Sequence, residues 1–261
     1  MHSLDIAATG LAAQQLNVDT ISHNLANMTT TSFKAERPEF QDLLYQDLKR
    51  VGTNSTDQGT VLPVGLQLGL GVKAGAISRD NTQGPLNNTQ NPLDVAVNGK
   101  GYFQVELPDG TIAYTRDGAF KLSPDGVIVN RDGFPIQPAI TIPTNAETVS
   151  IDSSGQVQVT LSGQTDPQTV GQFEMATFIN PNGMQATGDN LQLQTTASGD
   201  PVLNTAGQED FGTIMQGYLE NSNVNAVSEV TNLIVAQRAY EMNTKVLTAS
   251  DQMLQSLNQS A

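Results

Sequence analysis

The stretch from Val224 to Leu257, VNAVSEVTNLIVAQRAYEMNTKVLTASDQMLQSL, decides the fold. It contains neither Gly nor Pro, so nothing in it interrupts a helix of about nine turns at ~3.6 residues per turn. Asn225 suits an N-cap, and Glu229 falls in the first turn, where the helix dipole favours a negative charge. Ala226, Leu233, Tyr240, Leu247 and Leu254 recur at heptad spacing, and Ala239, Val246 and Met253 form a second column. A helix of roughly 50 Å is longer than a compact domain of this size normally uses. Much of its stripe is therefore expected to meet another long helix.

The candidate partner lies at the other end of the chain. Within residues 3–28, Leu4, Leu11, Val18 and Leu25 repeat at heptad spacing, and Ala7, Ile21 and Met28 stand in the position three further on, interrupted by Gln14. The run Thr29, Thr30, Thr31 and Ser32 disfavours helix and is expected to end it near Met28. Two amphipathic helices packing on the chain's own globular core would give the same pattern. Helix length and a poorly apolar middle favour pairing of the two ends as a coiled coil. Arg238 and Glu241 then read as surface or interhelical pairing groups.

The 261 residues suffice for one large or two ordinary domains. Aromatic residues are only 5%, Trp is absent, and Gly, Asn, Gln, Ser and Thr abound, so a thin architecture without a large core is expected. Cysteine is absent, which removes disulfides and thiolate metal sites. No run of 18 apolar residues argues for a membrane span, and the N-terminus lacks the pattern of a cleavable secretory signal. The net charge of −14 disfavours nucleic acid and anionic membrane surfaces as partners. Most of it lies in residues 51–220, which hold seventeen acids against six bases. The ends are nearly neutral, as expected if they are buried among other chains, although an acidic surface kept for solubility would look the same.

After the first helix, Phe40, Leu43, Leu44 and Leu48 suggest another turn or two of helix. Residues 51–72 then become rich in Gly, Ser, Thr, Asn and Pro, which predicts a linker or extended arm containing Leu62, Pro63, Gly65, Gly69 and Gly71. From Val72 the period changes to two. Asp109-Gly110, Asp117-Gly118, Asp125-Gly126 and Asp132-Gly133 recur at near-regular intervals, and Asp-Gly supplies the positive φ that tight hairpins demand. A meander of short antiparallel strands follows. Later candidate strands are Thr148–Ile151, Gln156–Leu161, Gln172–Ile179 and Leu191–Thr195. The expected fold is α+β: 1–35 with 220–261 as a helical coiled-coil domain, 36–75 as an arm, and 76–219 as an all-β domain.

The chemistry expected of an enzyme is missing from these motifs. The aspartates lack the pattern of a calcium loop: around Gly133 the corresponding positions are Ile128, Asn130, Asp132 and Ala139, so the first aspartate and the far glutamate are missing. Gly69, Gly71 and Ala74 spell G-x-G-x-x-A, yet the residues that follow, Val72 to Ile77, look like a strand and not the helix a dinucleotide site needs. His2 and His23 have no third nitrogen or thiolate partner for zinc. No catalytic, metal-binding or cofactor-binding residue is assigned.

Three groups of motifs resemble the flagellar axial family of rod and hook proteins over essentially the whole chain. Ala7-Ala8-Thr9-Gly10, Ile21-Ser22-His23-Asn24-Leu25-Ala26-Asn27 and Thr31-Ser32-Phe33-Lys34 resemble its N-terminal signature, with departures at His23 and Ser32. Asn91 to Phe103 and Tyr114-Thr115-Arg116-Asp117-Gly118 are similar to its first β-domain. Gly217 to Val224, Gln237-Arg238-Ala239-Tyr240-Glu241 and Asp251-Gln252-Met253-Leu254 are similar to its C-terminal pattern. Glu39 to Tyr45 and Leu62 to Val72 look like the distal-rod branch, with hook and proximal-rod subunits as alternatives. A secreted β-domain binding protein is an alternative of another class.

The resemblance implies a helical self-polymer whose terminal helices line an export channel and whose rod transmits torque. Leu4, Leu11, Val18, Ile21, Leu25, Leu233, Tyr240, Val246, Leu247, Met253 and Leu254 would carry helix–helix assembly, with Asn24, Asn27, Gln237 and Arg238 as motif residues. Implied partners are further copies, neighbouring rod and hook proteins, and the surrounding P- and L-ring proteins. The implied location is the basal body across the periplasm, reached through the flagellar type III export apparatus.

Overall fold

The computed structural model describes residues 2–49, 65–163 and 166–260. The backbone forms two compact units that interleave in sequence: Met1–Ala26, Glu36–Arg79 and Asn225–Ala261 make one, and Asn27–Ala35 and Asp80–Val224 make the other. Residues 27–35 and 220–224, expected with the helices, thus pack in the β unit. The reason is a buried charge cluster described below.

In the helical unit, α1 spans His2–Ala26 and α2 spans Ala226–Ser260. The expected cap is present: Asn225 Oδ1 accepts the backbone N–H groups of Val227 and Ser228 at 3.0 and 3.3 Å. α1 stops slightly before Met28, where the Thr30 hydroxyl donates to Asn27 Oδ1 at 3.1 Å and starts a turn. The two helices pack on each other. Their seam keeps part of the predicted first column: Ala236 and Ser250 are the buried positions of α2 and Leu233, Asn243 and Leu247 are half-buried, whereas Tyr240 and the second-column residues Val246 and Met253 are exposed. A Cβ added to Gly10 on α1 would lie 3.1 Å from Asn243 Nδ2. Small and polar side chains therefore let the helices approach closely.

Four strands complete this unit: β1 (Glu36–Asp42), β2 (Tyr45–Lys49), β3 (Leu66–Gly69) and β4 (Val72–Arg79). β1 pairs antiparallel with β4, and β2 with β3. The short helix expected around Phe40 to Leu48 is thereby corrected to a strand ribbon. Pro38 cannot donate within a helix, whereas it is accommodated opposite Ile77 in the ribbon. Phe40, Leu44 and Leu48, which suggested a helix face, are exposed. The expected strand after Gly71 is present as β4. Leu62 and Pro63 lie outside the described residues, Gly65 immediately precedes β3, and Gly69 closes β3 against the Tyr45 ring.

The β unit is built of short antiparallel strands, as predicted. Its largest sheet runs Gln185–Gly188, Leu191–Leu193, Ile112–Thr115, Tyr102–Glu106, Glu174–Thr177 and Val202–Thr205, and Ile136–Gln137 adds to Tyr102–Glu106. Ala146–Ile151, Gln156–Leu161 and Gln168–Gln172 form a second sheet. The predicted strand Gln172–Ile179 is broken at Phe173, whose side chain is fully buried: Gln172 ends a strand of the second sheet, and Glu174–Thr177 belongs to the large sheet. Phe103, Phe120 and Phe173 meet at ring distances of 5.1 to 5.9 Å amid Val and Ile, giving a continuous core despite few aromatics.

The Asp-Gly pairs divide. Gly110, Gly126 and Gly133 adopt positive φ in turns, as their pattern predicts. Gly118 does not; a Cβ there would fall 1.6 Å from the Val95 carbonyl oxygen. Its glycine is required for close backbone approach, since Val95 N–H donates to Gly118 O at 3.0 Å.

Candidate functional site

Three charged side chains meet inside the β unit. Glu220 has a fully buried carboxylate that accepts Lys34 Nζ at 2.6 Å through Oε1 and Arg116 Nε at 2.9 Å through Oε2. Gly84 N–H also donates to Oε1 at 2.9 Å. Further bonds hold the two cations: Lys34 Nζ donates to Thr82 O at 2.7 Å, and an Arg116 terminal amine donates to Gly99 O at 2.8 Å. The Arg116 guanidinium also lies 5.8 Å from the Tyr102 ring centroid. Burial pushes the Glu220 carboxyl up, but the Arg116 and Lys34 charges outweigh it and leave it below the usual carboxylate range. Burial likewise depresses the Lys34 ammonium, by more than Glu220 restores.

The backbone reinforces this clasp. Ser32 N–H donates to Glu220 O, and the Ser32 hydroxyl donates to Arg116 O, each at 2.8 Å. Asn223 accepts Ala35 N–H at 2.7 Å and donates to Asp80 O at 2.8 Å. The segment Thr31-Ser32-Phe33-Lys34 is thereby stitched between two motifs far along the chain. A buried pair left without one partner is strongly destabilising, so the cluster selects one pairing of these segments. It provides charge compensation and positioning, with every buried donor and acceptor in it engaged.

In the helical unit, Asn24 is buried and its amide pairs with the backbone of Glu36 in both directions, each bond 2.8 Å. It imitates a strand neighbour at the start of β1. Thr9 Oγ1 accepts Val72 N–H at 3.3 Å, where Gly71 at φ +120° leaves no room for a Cβ. Thr9 and Gly10 of the Ala7-Ala8-Thr9-Gly10 motif thus hold the start of β4 and α2 respectively.

The predicted assembly residues separate into two sets. Ile21 is buried, and Leu4, Leu11, Val18, Leu25, Leu233 and Leu247 are half-buried. Tyr240, Val246, Met253 and Leu254 are exposed. Val235, Met242, Val246 and Met253 follow heptad spacing along α2 and are each more than half exposed, making an uncovered apolar stripe. Of the motif residues, Asn27 closes the turn after α1, whereas Gln237 is exposed and Arg238 pairs with Glu241 at 3.8 Å on the surface. Lys34, Arg116 and Glu220 were not assigned as sites from sequence. Their only signal was that each lies within a motif.

A cleft of about 310 Å³ on the large sheet is lined by Gln104, Glu106, Gln137, Pro138 and Glu174. Among the described residues, no cluster of His, Asp and Glu could hold a metal ion.

Terminal helices with an apolar outer stripe, and a β unit closed by an internal charge clasp, define a structural class of protein. Family comparisons fill in which. Residues 4–34 match the description "Flagella basal body rod protein", residues 96–159 the "Flagellar hook protein FlgE/F/G D1 domain", and residues 215–260 the "Flagellar basal body rod FlgEFG protein C-terminal". The flagellar basal-body rod protein FlgG of Caulobacter vibrioides is 54% identical over 259 residues, covering 99% of both chains. FlgG proteins of Buchnera aphidicola from Acyrthosiphon pisum and of Agrobacterium fabrum are 49% and 46% identical, each aligned over at least 97% of both chains. The chain belongs to the flagellar basal-body rod protein family, standing with its FlgG members. Lys34, Arg116 and Glu220 each fall within a different one of the three matched regions.

Proposed function

We propose that this chain is the self-assembling subunit of the flagellar distal rod, a helical hollow drive shaft that transmits torque. The apolar stripe Val235, Met242, Val246 and Met253 supports this most directly. One intramolecular partner, α1, leaves the stripe in water, and the heptad spacing suits a second long helix. In a helical polymer, α1 and α2 of successive copies would pair as coiled coils around a central lumen serving as the export path. Repeating one heterologous contact around an axis removes the stripe from water in every copy except the last.

The extended ribbon supports a second contact between copies. Leu44, Tyr45, Leu48 and Leu66 are exposed along it, more apolar area than an isolated two-stranded ribbon needs. In this reading it stiffens the rod by reaching an adjacent subunit, and neighbouring rod and hook proteins and the P- and L-ring proteins are its other partners. Delivery follows the flagellar type III route, placing the rod across the periplasm. Among the described residues no helix is long and apolar enough to cross a membrane. Family membership favours the structural reading over a secreted binding protein.

The decisive experiment places one charge in the stripe. Purified chain is expected to sediment as filaments with a critical concentration, and Val246→Asp to remain monomeric with unchanged circular dichroism. Filaments formed normally by that variant would refute the reading. Deleting residues 51–72 tests the ribbon, with reduced bending rigidity as the expected result.

A further inference from the structure

The sulfur atoms of this chain divide by environment. Without cysteine, methionine is the only sulfur-containing residue. Met175 and Met184 are buried in the β unit, whereas Met242 and Met253 are each 60% exposed on α2. Eleven residues apart on a helix, they share one face about 16 Å apart, within the stripe that also contains Val235 and Val246. Met28 is also exposed but lies beyond the end of α1 and outside the stripe.

We propose that Met242 and Met253 form an oxidation-sensitive modification site that controls whether a free subunit can enter the polymer; this rests on the assembly reading above. The modifying agent is a hydroperoxide. The thioether sulfur attacks the distal peroxide oxygen, the O–O bond breaks, an S–O bond forms, and the displaced alkoxide, or hydroxide from hydrogen peroxide, leaves as the alcohol or water after proton transfer. Sulfur is oxidised by two electrons and the peroxide is reduced by two. The product sulfoxide is polar and chiral in place of a flexible apolar group, and it is reversible by thiol-dependent sulfoxide reductases. Exposed on the free helix, a sulfoxide is hydrated at no cost. Enclosed between apolar helix faces it loses that water without gaining a donor, so assembly is penalised while the folded monomer is not. Both groups lie on the same seam, and their effects act on one contact.

Full-length chain is treated with hydrogen peroxide, mapped by peptide mass spectrometry and assayed for filament formation by sedimentation. Met242 and Met253 are expected to oxidise before Met175 and Met184. The critical concentration is expected to rise at least about tenfold, as follows from enclosing two unsatisfied polar groups. Recombinant methionine sulfoxide reductases with dithiothreitol are expected to restore it. Met242→Leu/Met253→Leu conserves volume and apolarity and is expected to assemble before and after peroxide, whereas Met28→Leu remains sensitive. Normal assembly of wild-type chain oxidised at both positions overturns the inference alone, as does equal peroxide sensitivity of the double variant. Failure of unoxidised wild-type chain to assemble refutes the assembly reading and this inference with it.

Discussion

Glu220 keeps its charge in the interior because Arg116, Lys34 and the Gly84 amide together replace its hydration. Glu220→Gln removes the anion and leaves two buried cations facing each other, a change expected to cost ~3–5 kcal/mol. Urea unfolding at neutral pH measures it. The native carboxyl titrates below the ordinary range, so its contribution is complete above the pH at which the unfolded carboxyl ionises. That contribution is lost as pH falls through the folded value. The stability gap between wild type and Glu220→Gln is therefore expected to narrow in acid. Gly118→Ala makes a steric test at the same scale, because its Cβ would overlap Val95 O; a shift of the Val95 backbone and a loss of several kcal/mol are expected. Neither role was legible in sequence. Lys34 and Glu220 are 186 residues apart, Arg116 and Glu220 104, and Asp117-Gly118 is identical in letters to three true turn pairs.

Elements were legible where one local signal sufficed. Asn225 followed by a long uninterrupted heptad run specifies both the start and the type of α2. Asn225→Ala is expected to cost about 1 kcal/mol of helix stability. Hydrogen exchange would show this as faster exchange at Val227 and Ser228, with the centre of α2 unchanged. The ribbon was misread because four apolar residues within nine positions fit a helical face as well as one side of a strand, and pairing with strands further along the chain, Leu66–Gly69 and Val72–Arg79, decided the matter. Part of the inner seam of α2 escaped for a related reason. Hydrophobicity alone pointed to Val246 and Met253, whereas close approach to α1 selected Ala236, Asn243 and Ser250. Val235, Met242, Val246 and Met253 were left exposed.

For the whole molecule, the interleaving of the two units makes the boundary of each terminal segment matter. Residues 27–35 belong with the β unit, and Lys34 and Ser32 are the residues that bind them there. Removing 1–26 and 225–261 deletes α1, α2 and the apolar stripe while retaining Lys34, Arg116 and Glu220. Removing 1–35 and 225–261 also strips Lys34 from Glu220. The first truncation is expected to unfold cooperatively with most of the β-unit stability intact and to form no filaments at any concentration. The second is expected to be less stable by about 3–5 kcal/mol, the cost of breaking a buried pair. Denaturant unfolding monitored by near-ultraviolet circular dichroism separates the two, because the Tyr and Phe rings of the β unit report on its packing. Equal stability of the two truncations would mean that the clasp contributes nothing to holding the N-terminal segment. Filaments formed by the first would mean that assembly resides in the β unit and the remaining ribbon, with the terminal helices only accessory.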